Sequence, residues 1–246
     1  MSDQIRRLRT RNVILSQLPD EEFARIAEAL QPVSLTLGTE VSQPNEPIEY
    51  IYFPESGLIS TDALTRSGES VEVGLVGREG ISGLPALFGQ PQMGHAVLVQ
   101  GEGRGYRIRA SLLREVFLDG GELRRMIHNF TYLQFIQISQ SVLCNRLHDV
   151  ETRLARWLLM SADRTESDQL HLTQEFLAQM LGVQRSTVTV AAGVLQRSGM
   201  IEYSRGKILI LNRAMLKEAA CECYHIVNEG YEKLLKRDDE GNLIYV

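Results

Sequence analysis

The spacing of apolar residues changes character twice along the chain. Between residues 31 and 109, short apolar runs (PVSLTL, EYIYF, LISTDALT, VEVGLV, AVLVQ and GYRIR) are separated by glycine, proline and asparagine at roughly ten-residue intervals. That texture predicts an all-β domain of barrel or sandwich type. Upstream, Phe23, Ile26, Ala27 and Leu30 recur at helical spacing behind Pro19 and a run of acids, so a short lid or entry helix should begin near Asp20. The β pattern is interrupted at GREGISGLPALFG, residues 77–89, where glycines flank a segment that fits a single helical turn between two strands. Glycines there suit a backbone wrapped closely around a ligand, and suit tight corners equally well.

From residue 111 the period becomes helical, and glycine disappears after Gly121. Leu123, Met126, Phe130, Leu133, Gln137, Gln140, Cys144 and Leu147 recur at alternating three- and four-residue steps, a seam that needs a partner along its length. The β domain can supply part of that partner, but about 25 residues of helix extend roughly 37 Å. A second copy of the same helix is the economical answer. Leu123, Met126, Phe130, Leu133, Gln137, Gln140 and Cys144 are then a dimer interface, in which the polar Gln137 and Gln140 fix register and a two-chain state. Burial of the seam inside its own chain is the competing reading. A fresh helix starts in LHDVETRLARWLLM, with Asp149 as N-cap and Leu154, Trp157 and Leu158 as its buried stripe, which places a hinge at Leu147 to Asp149.

Residues 170–212 carry the most specific pattern. In LTQEFLAQML, Thr173 stands as N-cap, Phe176, Leu177 and Met180 face inward, and Gly182 supplies a left-handed turn at the end. A second helix follows from Arg185, with Val188, Ala192 and Leu195 inward. Two helices joined by a short turn containing glycine are a helix-turn-helix, whose second helix enters the major groove and offers its N-terminal residues to base edges. The candidate DNA-contacting residues are therefore Thr173, Gln184, Arg185, Ser186, Thr187 and Thr189. GMIEYSRGKILIL adds two short β runs around a tip whose Arg205 and Lys207 suit phosphate contacts. Within residues 183–213, Arg185, Arg197, Arg205, Lys207 and Arg213 face one acid, Glu202, so this region is basic on a chain whose net charge is −5.

A chain of 246 residues, 43% hydrophobic and 23% charged, has room for one large or two modest domains. No run of about eighteen apolar residues exists. MSDQIRRLRTRN leads into an acidic amphipathic segment rather than a signal peptide, so a cytoplasmic location without a membrane partner is expected. Three cysteines, Cys144, Cys221 and Cys223, do not make a disulfide framework. Cys221 and His225 could share a helix face, but no second ligand pair stands nearby in sequence, and Cys221 and Cys223 would lie about 200° apart on a helix. No metal site is expected. Nor is an enzyme, since no nucleophile, base and acid are suitably spaced.

These stretches resemble the Crp/Fnr family of bacterial transcription regulators, from IYFPESGLIS through the long helix, DVETRLARWLL, TQEFLAQMLGVQRSTV and the GMIEYSRGKILIL wing, over residues 14 to 215. The resemblance implies an α+β fold. Its parts are a cyclic-nucleotide-binding-like β-roll of double-stranded β-helix or jelly-roll type (14–120), a dimerisation helix (121–147), a winged helix-turn-helix (148–218), and a C-terminal helix and tail (219–246). It also implies a homodimer on double-stranded DNA, a signal sensed at the β-roll, and RNA polymerase as a candidate partner.

Departures from the family matter as much. Members that bind cyclic AMP carry a glycine-glutamate pair followed about ten residues later by arginine-serine, for the ribose and the phosphate. Here GISGLPALFGQPQMGHAVL has Ser82 and Gly83 in the first element and Met93, Gly94 and His95 in the second. Cyclic AMP is therefore not expected, and Gly80, Ser82, Gly83, Leu84, Met93 and His95 remain as a candidate pocket for an unknown effector. The lack of cysteine before Cys144 argues against an iron–sulfur cluster. His95 alone makes a poor case for haem. On the recognition helix the family's glutamate and second arginine fall at Ser186 and Val190, so the operator should differ from the familiar one, although Arg185 can still take guanine O6 and N7. The leading reading is a homodimeric, sequence-specific regulator that meets a near-palindromic operator through residues 184–196. The alternative is an effector-binding or protein-interaction module whose winged domain docks a protein.

Overall fold

The computed structural model of the protein describes residues 10–235. The expectation drawn from MSDQIRRLRTRN rests partly on residues outside that range, and the tail beyond residue 235 lies wholly outside it. The elements are α1 (Val13–Gln17), α2 (Asp20–Ala27), β1 (Gln31–Leu35), β2 (Glu40–Ser42), β3 (Tyr50–Pro54), β4 (Leu58–Leu64), β5 (Ser70–Val76), α3 (Leu84–Leu87), β6 (His95–Gly101) and β7 (Gly103–Arg109). There follow α4 (Ala110–Leu118), α5 (Gly121–Leu147), α6 (Val150–Thr165), β8 (Gln169–His171), α7 (Gln174–Leu181), α8 (Arg185–Arg197), β9 (Ile201–Ser204), β10 (Lys207–Ile210), α9 (Arg213–Ala219) and α10 (Glu222–Leu235). Two compact units result: one from the chain up to Ser60 with Val76–Thr131, the other from Thr61–Leu75 with the chain from Tyr132 on.

The strands expected from the short apolar runs form two sheets, in the orders β1-β7-β3 and β2-β6-β4-β5. β7 pairs antiparallel with β1 on one side and β3 on the other, with Tyr106 opposite both Pro32 and Phe53. Alternation along β3 buries Ile51 and Phe53 completely. Each such side chain contributes about 2 kcal/mol by leaving water. The single turn expected inside residues 77–89 is α3, and Gly83 opens it with φ of 100°.

Two features of this unit have no local signal. Asn12, fully buried, accepts from the Leu15 N–H and donates through Nδ2 to the carbonyls of Pro54 at 2.9 Å and Gly80 at 2.8 Å. It caps α1 and ties that helix to the end of β3 and to the loop at Gly80. α2 begins at Asp20 as expected, and it packs against α4. The Glu22 carboxylate accepts from the backbone N–H groups of Glu122 and Leu123, both at 2.8 Å, and so caps the start of α5.

In the second unit a small sheet, β8-β10-β9, stands beside α6 to α9. Leu154 and Leu158 are fully buried, and the Trp157 indole donates to Glu72 Oε1 at 2.9 Å. α6 starts one residue after Asp149, whose backbone takes the N-cap conformation while its side chain makes no capping hydrogen bond. The break between α5 and α6 falls at the expected hinge.

The dimer seam needs correction. Leu123, Met126, Phe130, Leu133, Gln137 and Cys144 are all buried by their own chain, and Gln140 is half-buried. Phe130 fills the space where Gly80 lacks a side chain, since a Cβ there would come within 2.0 Å of the ring. The Gln137 amide accepts from Arg164 at 2.6 Å and donates toward the Leu75 carbonyl at 3.4 Å. The polar seam residue thus serves intrachain hydrogen bonding. Heptad spacing identifies an apolar face but not what covers it. A second apolar stripe, Tyr132, Phe135 and Val142, remains 64%, 66% and 67% exposed, with Ile138 and Leu143 beside it.

Candidate nucleic-acid interface

Thr173 caps α7 as expected, its hydroxyl accepting from the Phe176 N–H at 3.1 Å. Gly182 ends that helix with φ of 61°, and a non-glycine residue would be strained in this left-handed turn. α8 then starts at Arg185, pinned by Val188, Ala191, Ala192 and Leu195, all buried. This inward stripe leaves Gln184, Arg185, Ser186 and Thr189 exposed and Thr187 half-buried at the N-terminal end. They present side chains along one helix end, where the helix dipole is positive.

Gln174, which the sequence reading passed over, connects the two helices. Its Oε1 accepts from Thr189 Oγ1 at 3.0 Å and lies 3.4 Å from Arg185 Nε. The interaction restrains the Arg185 stem while leaving the outer guanidinium nitrogens available. A polar residue at the first position of α7 was the available clue, since side chains there face the start of the next helix.

The wing is a two-residue hairpin. Arg205 and Gly206 have φ of 48° and 78°, and Ser204 pairs with Lys207. Tyr203 ties it to α8 and to the segment before α7, its N–H donating to Gln196 Oε1 at 2.9 Å and its hydroxyl to the Leu172 carbonyl at 3.2 Å. Burial pushes the Tyr203 pKa up against the opposing pull of Arg185, so the hydroxyl keeps its proton. Thr173, Gln174, Glu175, Arg185, Tyr203, Arg205 and Gly206 together line a groove of about 510 Å³. It is an open surface with Arg185 and Arg205 among its lining residues.

Arg213 does not belong to this surface. Its guanidinium pairs with Asp168 at 2.5 Å and with Asp163, and although burial works against its charge the two carboxylates hold its pKa above the ordinary value. The Tyr224 hydroxyl donates to the same Asp163 at 2.9 Å. Arg213 anchors α9 to α6.

The candidate effector residues are used by the fold. Gly80 faces the Phe130 ring, and Ser82 is buried and exchanges two backbone hydrogen bonds with Tyr52. Gly83 abuts Ile51, Leu84 begins α3, the Met93 carbonyl accepts from Asn45, and half-buried His95 begins β6. Gly83 takes a left-handed turn conformation, and Gly80 leaves room for the Phe130 ring.

The cysteines and histidines are arranged otherwise than expected. His225 is exposed and stacks on the edge of Tyr224. Cys221 precedes α10 rather than lying on it, so the 200° helical separation from Cys223 does not apply. Instead Cys144, His148, Cys221 and Cys223 converge, with ligand atoms all within 4.8 Å of one another.

Two family models match the chain, a cyclic nucleotide-binding domain over residues 32–119 and a Crp-like helix-turn-helix domain over residues 152–219. The chain belongs to the Crp/Fnr family. It is 24% identical over 200 residues to the global nitrogen regulator of Synechococcus elongatus, covering 77% of this chain and 89% of that one. It is also 24% identical to the CRP-like cAMP-activated global transcriptional regulator of Mycobacterium tuberculosis, over 80% of this chain and 92% of the other. A crp/fnr family regulator from Eubacterium rectale has a similar fold, with a TM-score of 0.67 at 19% identity over 84% of this chain and 97% of that one. This Crp/Fnr protein is a DNA-binding transcription regulator, not an enzyme, and its α+β architecture is that of the family. Among the described residues no helix is long and apolar enough to cross a membrane.

Proposed function

We propose that this regulator binds a near-palindromic operator as a homodimer, reading bases with the start of α8 and holding phosphates with the wing. The observation that carries this reading is Arg185, exposed at the first turn of α8, braced by Gln174 and facing a groove that continues to Arg205. A guanidinium so held is suited to bidentate bonding with guanine, while Arg205 and Lys207 supply charge without sequence preference. Gln184, Ser186, Thr187 and Thr189 complete the reading surface, and Thr173 adds a hydroxyl at its edge. A partner chain would meet the exposed Tyr132, Phe135 and Val142 stripe rather than the buried seam.

The signal at the β-roll is other than cyclic AMP, haem or an iron–sulfur cluster. The first nucleotide-binding element has Ser82 and Gly83 where the cyclic AMP binders carry a glycine-glutamate pair, and a ligand can shift DNA affinity only if it favours one conformation of the protein. RNA polymerase is a further candidate partner.

Selection from randomised duplexes, without ligand and at two salt concentrations, tests the proposal. The expected result is an enriched inverted repeat whose affinity falls about tenfold or more in Arg185→Ala, with unchanged thermal stability. Arg185→Ala binding equal to wild type, with no steep salt dependence, would instead favour a winged domain that docks protein.

A further inference from the structure

The four converging ligands lie at two ends of one segment. Cys144 and His148 are a turn apart where α5 finishes, and Cys221 and Cys223 flank the start of α10. Cys144 Sγ is 3.5 Å from Cys221 Sγ, and Cys223 Sγ is 3.6 Å from His148 Nδ1. A tetrahedral zinc ion with sulfur at ~2.3 Å and nitrogen at ~2.0 Å sets its ligand atoms roughly 3.5–3.8 Å apart. The two spacings, Cys144 to Cys221 and Cys223 to His148, match edges of that tetrahedron, and all four ligand atoms lie within 4.8 Å of one another. Ligands shared among several irons would be spread more widely.

Two surrounding features favour a cation held by thiolates over three packed thiols. The second ring nitrogen of His148 lies 3.4 Å from a Glu222 carboxylate oxygen, as in the carboxylate–histidine–metal arrangement that orients a ligating imidazole. Arg153 and Arg156, 8% and 7% exposed, lie within electrostatic reach of the thiols. Their other hydrogen bonds go to Asn145, Ser141 and the Leu181 carbonyl, and the Nε of each has no acceptor among the described residues. Two buried guanidinium ions without a carboxylate partner among the described residues are costly beside thiols that stay protonated. Three thiolates around one divalent cation carry a net charge of −1 and offset that cost.

We propose that Cys144, His148, Cys221 and Cys223 form a closed structural site for a single zinc ion. Binding takes the three cysteines as thiolates, with remaining thiol protons passing to solvent, and leaves the histidine neutral. Cys144 and Cys221 are 77 positions apart, and the residues between them include the whole helix-turn-helix and wing. The ion therefore fastens the two ends of the DNA-binding segment together beside the α5–α6 hinge, and it stabilises the fold in part by closing that long loop. This inference does not depend on the operator reading above.

The full chain, purified from zinc-supplemented cells without chelator, is expected to carry close to one zinc per chain by elemental mass spectrometry. Replacement with Co²⁺ should give intense visible d–d bands and near-ultraviolet sulfur-to-metal charge transfer, a readout from unmutated protein. Chelation should lower Tm by about 5 °C or more. Cys223→Ser should weaken metal binding at least tenfold, while His225→Ala should leave it unchanged. Less than a tenth of an equivalent of metal together with a weak octahedral cobalt spectrum would overturn the proposal. A Cys144–Cys221 disulfide recovered from acid-quenched cells would overturn it as well, in favour of a redox role. Loss of metal in His225→Ala would reject this ligand set.

Discussion

Asn12 is a polar side chain that the apolar core cannot do without. Replacing it with alanine removes a helix cap and leaves the Pro54 and Gly80 carbonyls without the donor that now reaches both. Asn12→Ala should cost about 3 kcal/mol of stability, read as a lower urea midpoint at unchanged m-value. A loss under about 1 kcal/mol would mean that water replaces the amide. In the sequence Asn12 is one polar residue at the end of a charged stretch, and its partners lie 42 and 68 positions away. Arg213 errs in the opposite direction. It looked like part of a basic surface because charge counting is local, yet Asp163 and Asp168 neutralise it. Gln174 was overlooked for the same reason, since its relation to Arg185 depends on how two helices meet.

Among the elements, the wing turn was the most legible. A Ser-Arg-Gly-Lys tip between two short apolar runs has few alternatives, and the observed hairpin keeps glycine at its second central position. Arginine at the first is the unusual choice, because φ of 48° favours asparagine or glycine there. Arg205→Asn should hold stability within about 0.5 kcal/mol of wild type or raise it, while reducing the slope of log affinity against log salt by about one. Thermal melts and a salt titration of operator binding separate the two effects. An unchanged slope would remove Arg205 from the phosphate contacts. α5 was legible as an element and misread as a surface. Its 3–4 repeat is real but marks the buried seam, while Tyr132, Phe135 and Val142, three and seven positions apart, stay exposed on the same helix.

In the proposed dimer, that exposed stripe gives a second chain apolar area to bury. Phe135→Glu combined with Val142→Glu should leave the circular dichroism spectrum unchanged and convert a dimer to a monomer in sedimentation equilibrium. Charges buried at such an interface would lack partners. Leu133→Glu, on the buried side of the same helix, should lower the folded fraction instead. A double variant that remains dimeric would place the contact elsewhere. If the dimer is what spaces two recognition helices about 34 Å apart, operator affinity should fall with dimer loss.

The elements themselves were determined locally. The helix-turn-helix, its glycine turn, the wing and the succession of short strands each rest on apolar periods and turn residues a few positions apart, and these act before any distant contact forms. The family resemblance rested on the same stretches. Contacts between distant segments were decided only by the folded chain. Glu22 caps a helix 100 residues away, Phe130 closes over Gly80, and Cys144 and His148 meet Cys221 and Cys223 at the far end of the DNA-binding segment. One sequence period is compatible with several partners, and packing selects among them by which face can be buried with its polar groups satisfied.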